Sequence, residues 1–173
     1  MYGAHRRPIY DDGATAIADA LVAHGSVTDL KLWDNRISDR GAAALARALS
    51  YATSLCSLTL YGNRIADAGV IALSDALAAN RSLTNLGLSA NQFSHLGAAA
   101  IGGALCANQT LRELHLAYNA IGDDGALALA KCFASNGALL ELGLWDTSLS
   151  ADGEAAVVAA WVGSGRCESK LTV

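Results

Sequence analysis

Proline and charged residues are scarce in this 173-residue chain, which contains one proline and only 16% Asp, Glu, Lys and Arg. Together with 53% hydrophobic residues, this composition excludes intrinsic disorder and a proline-rich linker. No run of lysine or arginine is longer than two residues and the formal net charge is −4, so no nucleic-acid partner is expected. The length predicts a single domain over residues 1–173.

The four cysteines lie 50, 26 and 35 residues apart, without a Cys-x-x-Cys pair or a histidine at zinc-ligand spacing. We therefore expect free thiols, no metal site and no cofactor. No secretory or transit segment is visible at the start, and no uninterrupted apolar run is long enough to span a bilayer. These features predict a cytoplasmic protein without a membrane partner.

What the sequence does have is a period of 28 residues. The columns that recur at this step are Leu30, Leu58, Leu86, Leu114 and Leu142; Leu32, Leu60, Leu88, Leu116 and Leu144; Asn35, Asn63, Asn91 and Asn119; and Gly13, Gly41, Gly69, Gly97, Gly125 and Gly153. Apolar residues alternate around each leucine pair and follow a helical spacing after each glycine. Each unit is therefore predicted to be a strand around its leucine pair followed by a helix that begins near its glycine.

Polar residues at the unit boundaries are assigned structural roles. The residues expected to cap helix N-termini are Ser38, Asp39, Asp67, Ser94 and Asp123. Asn80, Asn108 and Asn136 lie where helices are expected to end, a position that tolerates a left-handed residue. The repeat asparagines Asn35, Asn63, Asn91 and Asn119 are expected to turn inward and satisfy backbone groups. Trp161 is expected to fill the core at the C-terminal end, and Leu171-Thr172-Val173 is predicted to form a closing strand.

The segment 55–65, Leu-Cys-Ser-Leu-Thr-Leu-Tyr-Gly-Asn-Arg-Ile, resembles the leucine-rich repeat, whose pattern is Leu-x-x-Leu-x-Leu-x-x-Asn-x-Ile. The 28-residue unit with its alanine-rich helix is similar to the ribonuclease-inhibitor subclass and to the repeat arrays of NOD-like receptors. The resemblance covers residues 9–162. It implies an α/β solenoid of about six repeats, with a curved parallel sheet on the concave side and helices on the convex side.

The two ends depart from the repeat. Tyr2 and Ala4 replace the leucines of the first unit, and Thr147 replaces an asparagine in the last. We therefore expect an N-terminal cap repeat over 1–26, regular repeats over 27–162 and a C-terminal cap or tail over 163–173.

Positions beside the strand leucines point to the concave side and have no core role. The side chains expected to bind a partner there are Lys31, Trp33, Tyr61, Glu113, His115, Tyr118, Glu141 and Trp145. Trp33 and Tyr61 are neighbours in one column, and tryptophan and tyrosine are enriched among binding hot spots. The alternative is that these rings merely cover neighbouring side chains. No nucleophile or second histidine joins His115, so no catalytic site is expected.

Two functions follow from the resemblance. One is a noncatalytic protein–protein interaction module that binds through its concave strand face, alone or in a sensor or scaffold. The alternative is a GTPase-activating regulator, because Ran GTPase-activating proteins share this repeat subclass and Arg36 and Arg64 follow repeat asparagines. The insertion that carries that family's catalytic arginine has no counterpart in these uniform units, which favours the interaction module.

Overall fold

Strands and helices alternate through a computed structural model that describes residues 7–173. The helices are α1 (Asp11–His24), α2 (Asp39–Leu49), α3 (Asp67–Ala79), α4 (His95–Ala107), α5 (Gly122–Ala130) and α6 (Ala151–Gly163). The strands are β1 (Asp29–Lys31), β2 (Ser57–Thr59), β3 (Asn85–Gly87), β4 (Glu113–His115), β5 (Glu141–Gly143) and β6 (Leu171–Thr172), the last preceded by a 3-10 turn over Glu168–Lys170. Tyr2 and Ala4, at which the first unit departs from the repeat, lie outside the described residues.

The six strands form one parallel sheet in chain order. Register follows the period, because Leu30 pairs with Leu58 and Leu58 with Leu86. Each strand is centred on the first leucine of its pair, one residue earlier than predicted, and the second leucine follows the strand into the core. The predicted closing strand is confirmed, since Leu171 pairs with Leu142.

The core lies between the sheet and the helices. Leu58 and Leu60 from the strand side and Leu73 and Leu77 from α3 are all buried. Neighbouring strands are about 4.8 Å apart, whereas packed helices need about 8–10 Å. The α/β leucine-rich-repeat solenoid therefore curves with its sheet on the concave side. Trp161 is buried at the C-terminal end, as expected, with its ring edge-on to Phe133 at 5.2 Å.

The repeat asparagines have the predicted structural role. Asn63 donates from Nδ2 to the carbonyls of Leu32 and Leu60 at 2.8 and 2.9 Å. Its Oδ1 accepts from the Ile37 N–H at 3.0 Å. Asn35, Asn91 and Asn119 likewise donate to carbonyl groups that follow the strands. The column thus ties each repeat to the one before it.

At the predicted N-cap Ser38/Asp39 the capping position is that of Ser38, whereas the predictions for Asp67 and Asp123 are wrong, because all three aspartates lie inside their helices. Asp39 and Asp67 are first residues and Asp123 is a second residue. Asp67 Oδ1 accepts from the N–H groups of Ser94 and Gly97 in the next repeat, at 2.8 and 2.9 Å. Stacking places each helix N-terminus beside the next, so the carboxylate of one repeat satisfies the open N–H groups of its neighbour.

The two predicted serine caps, Ser94 and Ser38, differ in their hydrogen bonds. Ser94 caps its own helix by accepting from the Leu96 N–H at 3.2 Å. Both hydroxyls donate to an aspartate of the preceding repeat, Ser94 to Asp67 Oδ2 at 2.8 Å and Ser38 to Asp11 Oδ2 at 2.7 Å, but the Ser38 hydroxyl accepts no N–H group of its own helix. In α4 the position of the aspartate is occupied by His95, and the following helix α5 begins after Ile121 without a side-chain hydrogen bond at its N-cap.

The predicted helix ends at Asn80 and Asn108 are confirmed, but neither residue is left-handed, and α5 ends at Ala130, before Asn136. Asn80 and Asn108 follow their helices in extended conformations, with φ of −68° and −88°. Asn108 donates to the carbonyls of Leu77 and Asn80 at 2.8 and 2.9 Å and accepts from the Leu111 N–H at 2.8 Å. A buried side-chain amide therefore replaces the left-handed turn. Together with Asn136, these residues form a second asparagine ladder.

An arginine closes this second ladder. One repeat after Asn136 the chain has Ser164, and the carbonyls left open are those of Phe133 and Asn136. Arg166 donates to both, at 2.9 Å to Phe133, and its Nε donates to Leu139 at 2.8 Å. The guanidinium also lies 4.9 Å from the centre of the Trp161 ring. Burial lowers the pKa of Arg166 from its usual value. The solenoid end is thus closed by one side chain that sequence analysis missed.

Candidate functional site

The eight residues predicted to bind a partner all lie on the exposed side of the sheet. We call this surface the strand face: it comprises the non-leucine residues of β1–β5 and the two positions after each second leucine. The aromatic members Trp33, Tyr61, Tyr118 and Trp145 are 51%, 41%, 45% and 54% exposed. Lys31 and Glu113 are exposed, whereas His115 and Glu141 are half-buried.

A left-handed residue follows each strand, a feature that sequence analysis missed. Asp34, Gly62, Ala90, Tyr118 and Asp146 have φ between 53° and 69°. Glycine adopts this region freely, but other residues pay about 1–3 kcal/mol. In the sequence, Gly62 and the two aspartates indicate a left-handed position. Ala90 and Tyr118 do not, and they interrupt the pattern in this column. Tyr118 is thus held in a conformation for which glycine would be less costly.

This conformation brings together two rings from different columns. The centres of the Tyr118 and Trp145 rings are 4.8 Å apart and the planes make an angle of 89°. Trp33 and Tyr61 are neighbours along the ladder as expected, with the Asp34 N–H donating to the Tyr61 carbonyl at 2.9 Å. Within residues 7–173, however, the exposed rings that pair are those of Tyr118 and Trp145.

The carboxylates of the strand face form hydrogen bonds with residues other than the nearby His115. Glu141 accepts from Lys170 Nζ at 2.9 Å, and this hydrogen bond lowers the pKa of Glu141 and raises that of Lys170. Glu113 accepts from Asn85 Nδ2. His115 lies in register between Gly87 and Gly143, positions without side chains. Within the described part of the chain, neither glutamate hydrogen-bonds His115.

The Leu-Trp-Asp sequence occurs at both ends of the strand face. Trp33-Asp34 and Trp145-Asp146 are four repeats apart, or about 19 Å along the sheet. We call Arg7, Lys31, Trp33 and Asp34, which line one surface pocket, the N-terminal corner, and Tyr118, Trp145 and Asp146 the C-terminal corner. Four repeats after Arg7 and Lys31, the corresponding positions are Asn119 and Gly143. The two corners therefore share an aromatic residue and a carboxylate but differ in basic neighbours.

Arg36, one of the two arginines considered for GTPase activation, contacts Tyr10. Its guanidinium donates to the Tyr10 hydroxyl at 3.1 Å and lies 5.8 Å from the centre of that ring. Arg64, the second arginine considered for GTPase activation, is exposed one repeat later.

The helix side offers a different kind of surface. An open groove of about 640 Å³ crosses α1, α2 and α3, with alanines at its floor and Arg40, Arg47 and Asp75 at its rim. Across residues 7–173, no cluster of three or more His, Cys, Asp or Glu side chains is placed to hold a metal ion. None of the described helices is both long and apolar enough to cross a membrane.

Comparison with known proteins identifies the repeat. The Leucine Rich repeat family matches residues 26–46, 51–74 and 107–130. The chain therefore folds as a leucine-rich-repeat solenoid, as the sequence pattern and the six strand–helix units also show. No curated protein sequence matches it.

Two solved structures share the architecture. The actin-binding site 2 of leiomodin-1 is 24% identical with a TM-score of 0.75, over 89% of this chain and 88% of that one. The tropomodulin C-terminal domain of Caenorhabditis elegans is 15% identical with a TM-score of 0.73, over 88% and 93%. At these identities the similarity establishes the fold.

Proposed function

We propose that this protein is a noncatalytic interaction module that binds a protein partner through its strand face. The observation that carries the proposal is the set of four half-exposed aromatic side chains on one side of the sheet: Trp33, Tyr61, Tyr118 and Trp145. None of them fills the core, and tryptophan and tyrosine are the residue types most enriched among binding hot spots.

The similar structures are in keeping with a protein ligand, since that of leiomodin-1 is an actin-binding site. Purified actin is therefore one partner to test. We place the protein in the cytoplasm, in a sensor or scaffold of the ribonuclease-inhibitor-like kind. All four cysteines are free, which suits a reducing compartment.

Affinity capture tests the proposal. The immobilised wild-type protein is compared with the triple variant Trp33→Ala/Tyr61→Ala/Trp145→Ala, using purified actin and a cell lysate as separate sources. Tyr51→Ala is the matched control, because Tyr51 is 71% exposed after α2 on the helix side. We expect a partner that the triple variant loses and that Tyr51→Ala retains. One buried aromatic anchor contributes about 2 kcal/mol, or roughly thirtyfold in affinity.

Retention of every partner by the folded triple variant, or loss through Tyr51→Ala alone, would place binding elsewhere.

A GTPase assay distinguishes the alternative function. Stimulated GTP hydrolysis that depends on Arg36 or Arg64 would support a GTPase-activating regulator instead.

A further inference from the structure

The C-terminal corner combines two exposed rings with a carboxylate. We propose that Tyr118, Trp145 and Asp146 form a docking point for a cationic side chain, an arginine or a lysine, of the protein partner. This inference rests on the proposed function and specifies the chemistry of one contact within it.

The rings provide the first part of the site. A cation over the face of an aromatic ring is attracted by the ring quadrupole, most strongly for tryptophan. Trp145 is 54% exposed and Tyr118 45% exposed. Because the two planes are nearly perpendicular, they form two walls of a corner that is open to solvent. The head group of a cationic side chain can lie over the exposed face of one wall while its outer side stays hydrated.

The carboxylate provides the second part. The Tyr118 N–H donates to the Trp145 carbonyl at 3.0 Å, so Tyr118 and Asp146 occupy equivalent positions in adjacent repeats, about 4.8 Å apart. Asp146 is exposed and forms no ion pair with any residue from 7 to 173. A guanidinium between ring and carboxylate would gain both a cation–π contact and a charge-assisted hydrogen bond.

The backbone of Tyr118 indicates that its ring is not there to serve the fold. The same column contains Gly62 and Ala90, so the repeat requires no large side chain at this position. A tyrosine at this position is destabilised by its left-handed conformation, and its ring lies beside Trp145. The Tyr118–Trp145 pair thus depends on a side chain that the repeat fold does not require.

The charges of the N-terminal corner explain why the cation site is proposed at the C-terminal corner. Trp33 and Asp34 present the same ring and carboxylate, but they line one pocket with Arg7 and Lys31. These two positive charges repel an incoming cation. The equivalent C-terminal positions are Asn119 and Gly143, and the basic residue Lys170 on that side is paired with Glu141 at 2.9 Å. The charge pattern therefore favours a cation at the C-terminal corner.

The three tryptophans make this inference measurable, because each gives one indole N–H signal in a proton–nitrogen NMR spectrum. Trp145 reports the proposed site, Trp33 reports the matched corner, and the buried Trp161 reports the fold. The signals are assigned from Trp33→Ala and Trp145→Ala. The probe is the peptide acetyl-Gly-Arg-Gly-amide, titrated at constant ionic strength to concentrations on the order of tens of millimolar, since one side chain binds weakly. Acetyl-Gly-citrulline-Gly-amide has nearly the same shape without the charge.

We expect the arginine peptide to shift the Trp145 signal progressively, with a smaller shift at Trp33 and none at Trp161. The citrulline peptide should leave all three signals in place. Asp146→Asn should weaken the Trp145 response about threefold, whereas Asp34→Asn should not change it. Tyr118→Gly should also weaken it while the Trp161 signal stays at its folded position.

Equal responses to the two peptides, or an unchanged Trp145 response in Asp146→Asn, would overturn the inference. The titration uses no partner, so it can fail independently of affinity capture. A silent Trp145 signal combined with partner loss in the triple aromatic variant would reject the cation site and leave the proposed function intact.

Discussion

The two corners of the strand face have the same backbone and different surroundings. Asp34 and Asp146 both follow a tryptophan and both have left-handed φ values, of 54° and 53°. Arg7 and Lys31 make the N-terminal corner basic. Tyr118 makes the C-terminal corner aromatic, and no basic residue occupies the equivalent positions.

The comparison separates what the repeat imposes from what it leaves open. Strand register, buried leucines and the left-handed position recur every 28 residues because each repeat must stack on its neighbour. Side-chain contacts on the strand face, such as Tyr118 with Trp145 and Asn85 with Glu113, do not recur from repeat to repeat, so these residues can differ without loss of the fold. Binding should therefore depend on the positions that vary and stability on the positions that recur.

The largest effect should come from the recurring leucines. Leu60→Ala and Leu88→Ala remove fully buried side chains and should lower the free energy of unfolding by about 2–5 kcal/mol. Trp33→Ala and Trp145→Ala should each change it by no more than about 1 kcal/mol. Urea unfolding followed by circular dichroism measures both sets. Similar losses in the two sets would show that the exposed rings support the fold.

Removal of the C-terminal closure should have the next largest effect. Arg166→Ala leaves the carbonyls of Phe133, Asn136 and Leu139 without their donor and should cost about 1–3 kcal/mol. Burial raises the pKa of the Cys132 thiol to about 12, so it resists alkylation at pH 8 until the end of the solenoid opens. Alkylation of Cys132, measured by mass spectrometry, should therefore be faster in Arg166→Ala.

Arg112→Ala is the matched control for this closure. Arg112 is exposed and donates one hydrogen bond, to the Ala138 carbonyl. An equal rise in Cys132 reactivity in both variants would contradict a special role for Arg166.

A smaller change in stability should show that Tyr118 is strained and that its ring does not support the fold. Tyr118→Gly and Ala90→Gly both relieve a left-handed conformation, and each should stabilise the chain by up to about 1 kcal/mol. The gain at Tyr118 should be the smaller of the two, because the ring pair with Trp145 is lost. Thermal unfolding measures the difference. A large destabilisation by Tyr118→Gly would mean that the ring serves the fold.

The smallest effect should be on the pH dependence of stability. Burial acts to raise the pKa of Asp67, but hydrogen bonds from Ser94 and Gly97 outweigh it, so the pKa is lowered. This contribution is complete above the unfolded pKa of about 3.9 and is lost as pH falls through the folded pKa. The wild type should therefore lose more stability than Asp67→Asn between pH 5 and 3. If urea unfolding shows that the wild type and Asp67→Asn lose the same free energy of unfolding over this pH range, this role for Asp67 is contradicted.

Much of the fold could be predicted from the sequence because the period reports stacking directly. Equivalent residues must meet in adjacent repeats, so the leucine, asparagine and glycine columns located the sheet, the first asparagine ladder and the helix starts. The contacts that were missed join one repeat to the next through side chains. Asp67 suits a cap of its own helix by local rules, and only stacking shows that the helix it caps is the next one.

The candidate site was less predictable for a related reason. Sequence columns identified the exposed positions but not the direction in which each side chain points. Tyr118 pairs with Trp145 from a different column because its backbone is left-handed, and neither residue type signals that conformation. Arg166 lies outside the repeat, so no periodicity could assign its role.

Hydrogen exchange of the protein alone and with a captured partner tests the central claim most directly, because it locates the contact without any substitution. We expect slower amide exchange over residues 29–34, 57–62, 113–118 and 141–146, with the helices unchanged. Protection confined to α1–α6, with those four segments unaffected, would show that the partner binds the helix side and would contradict the account.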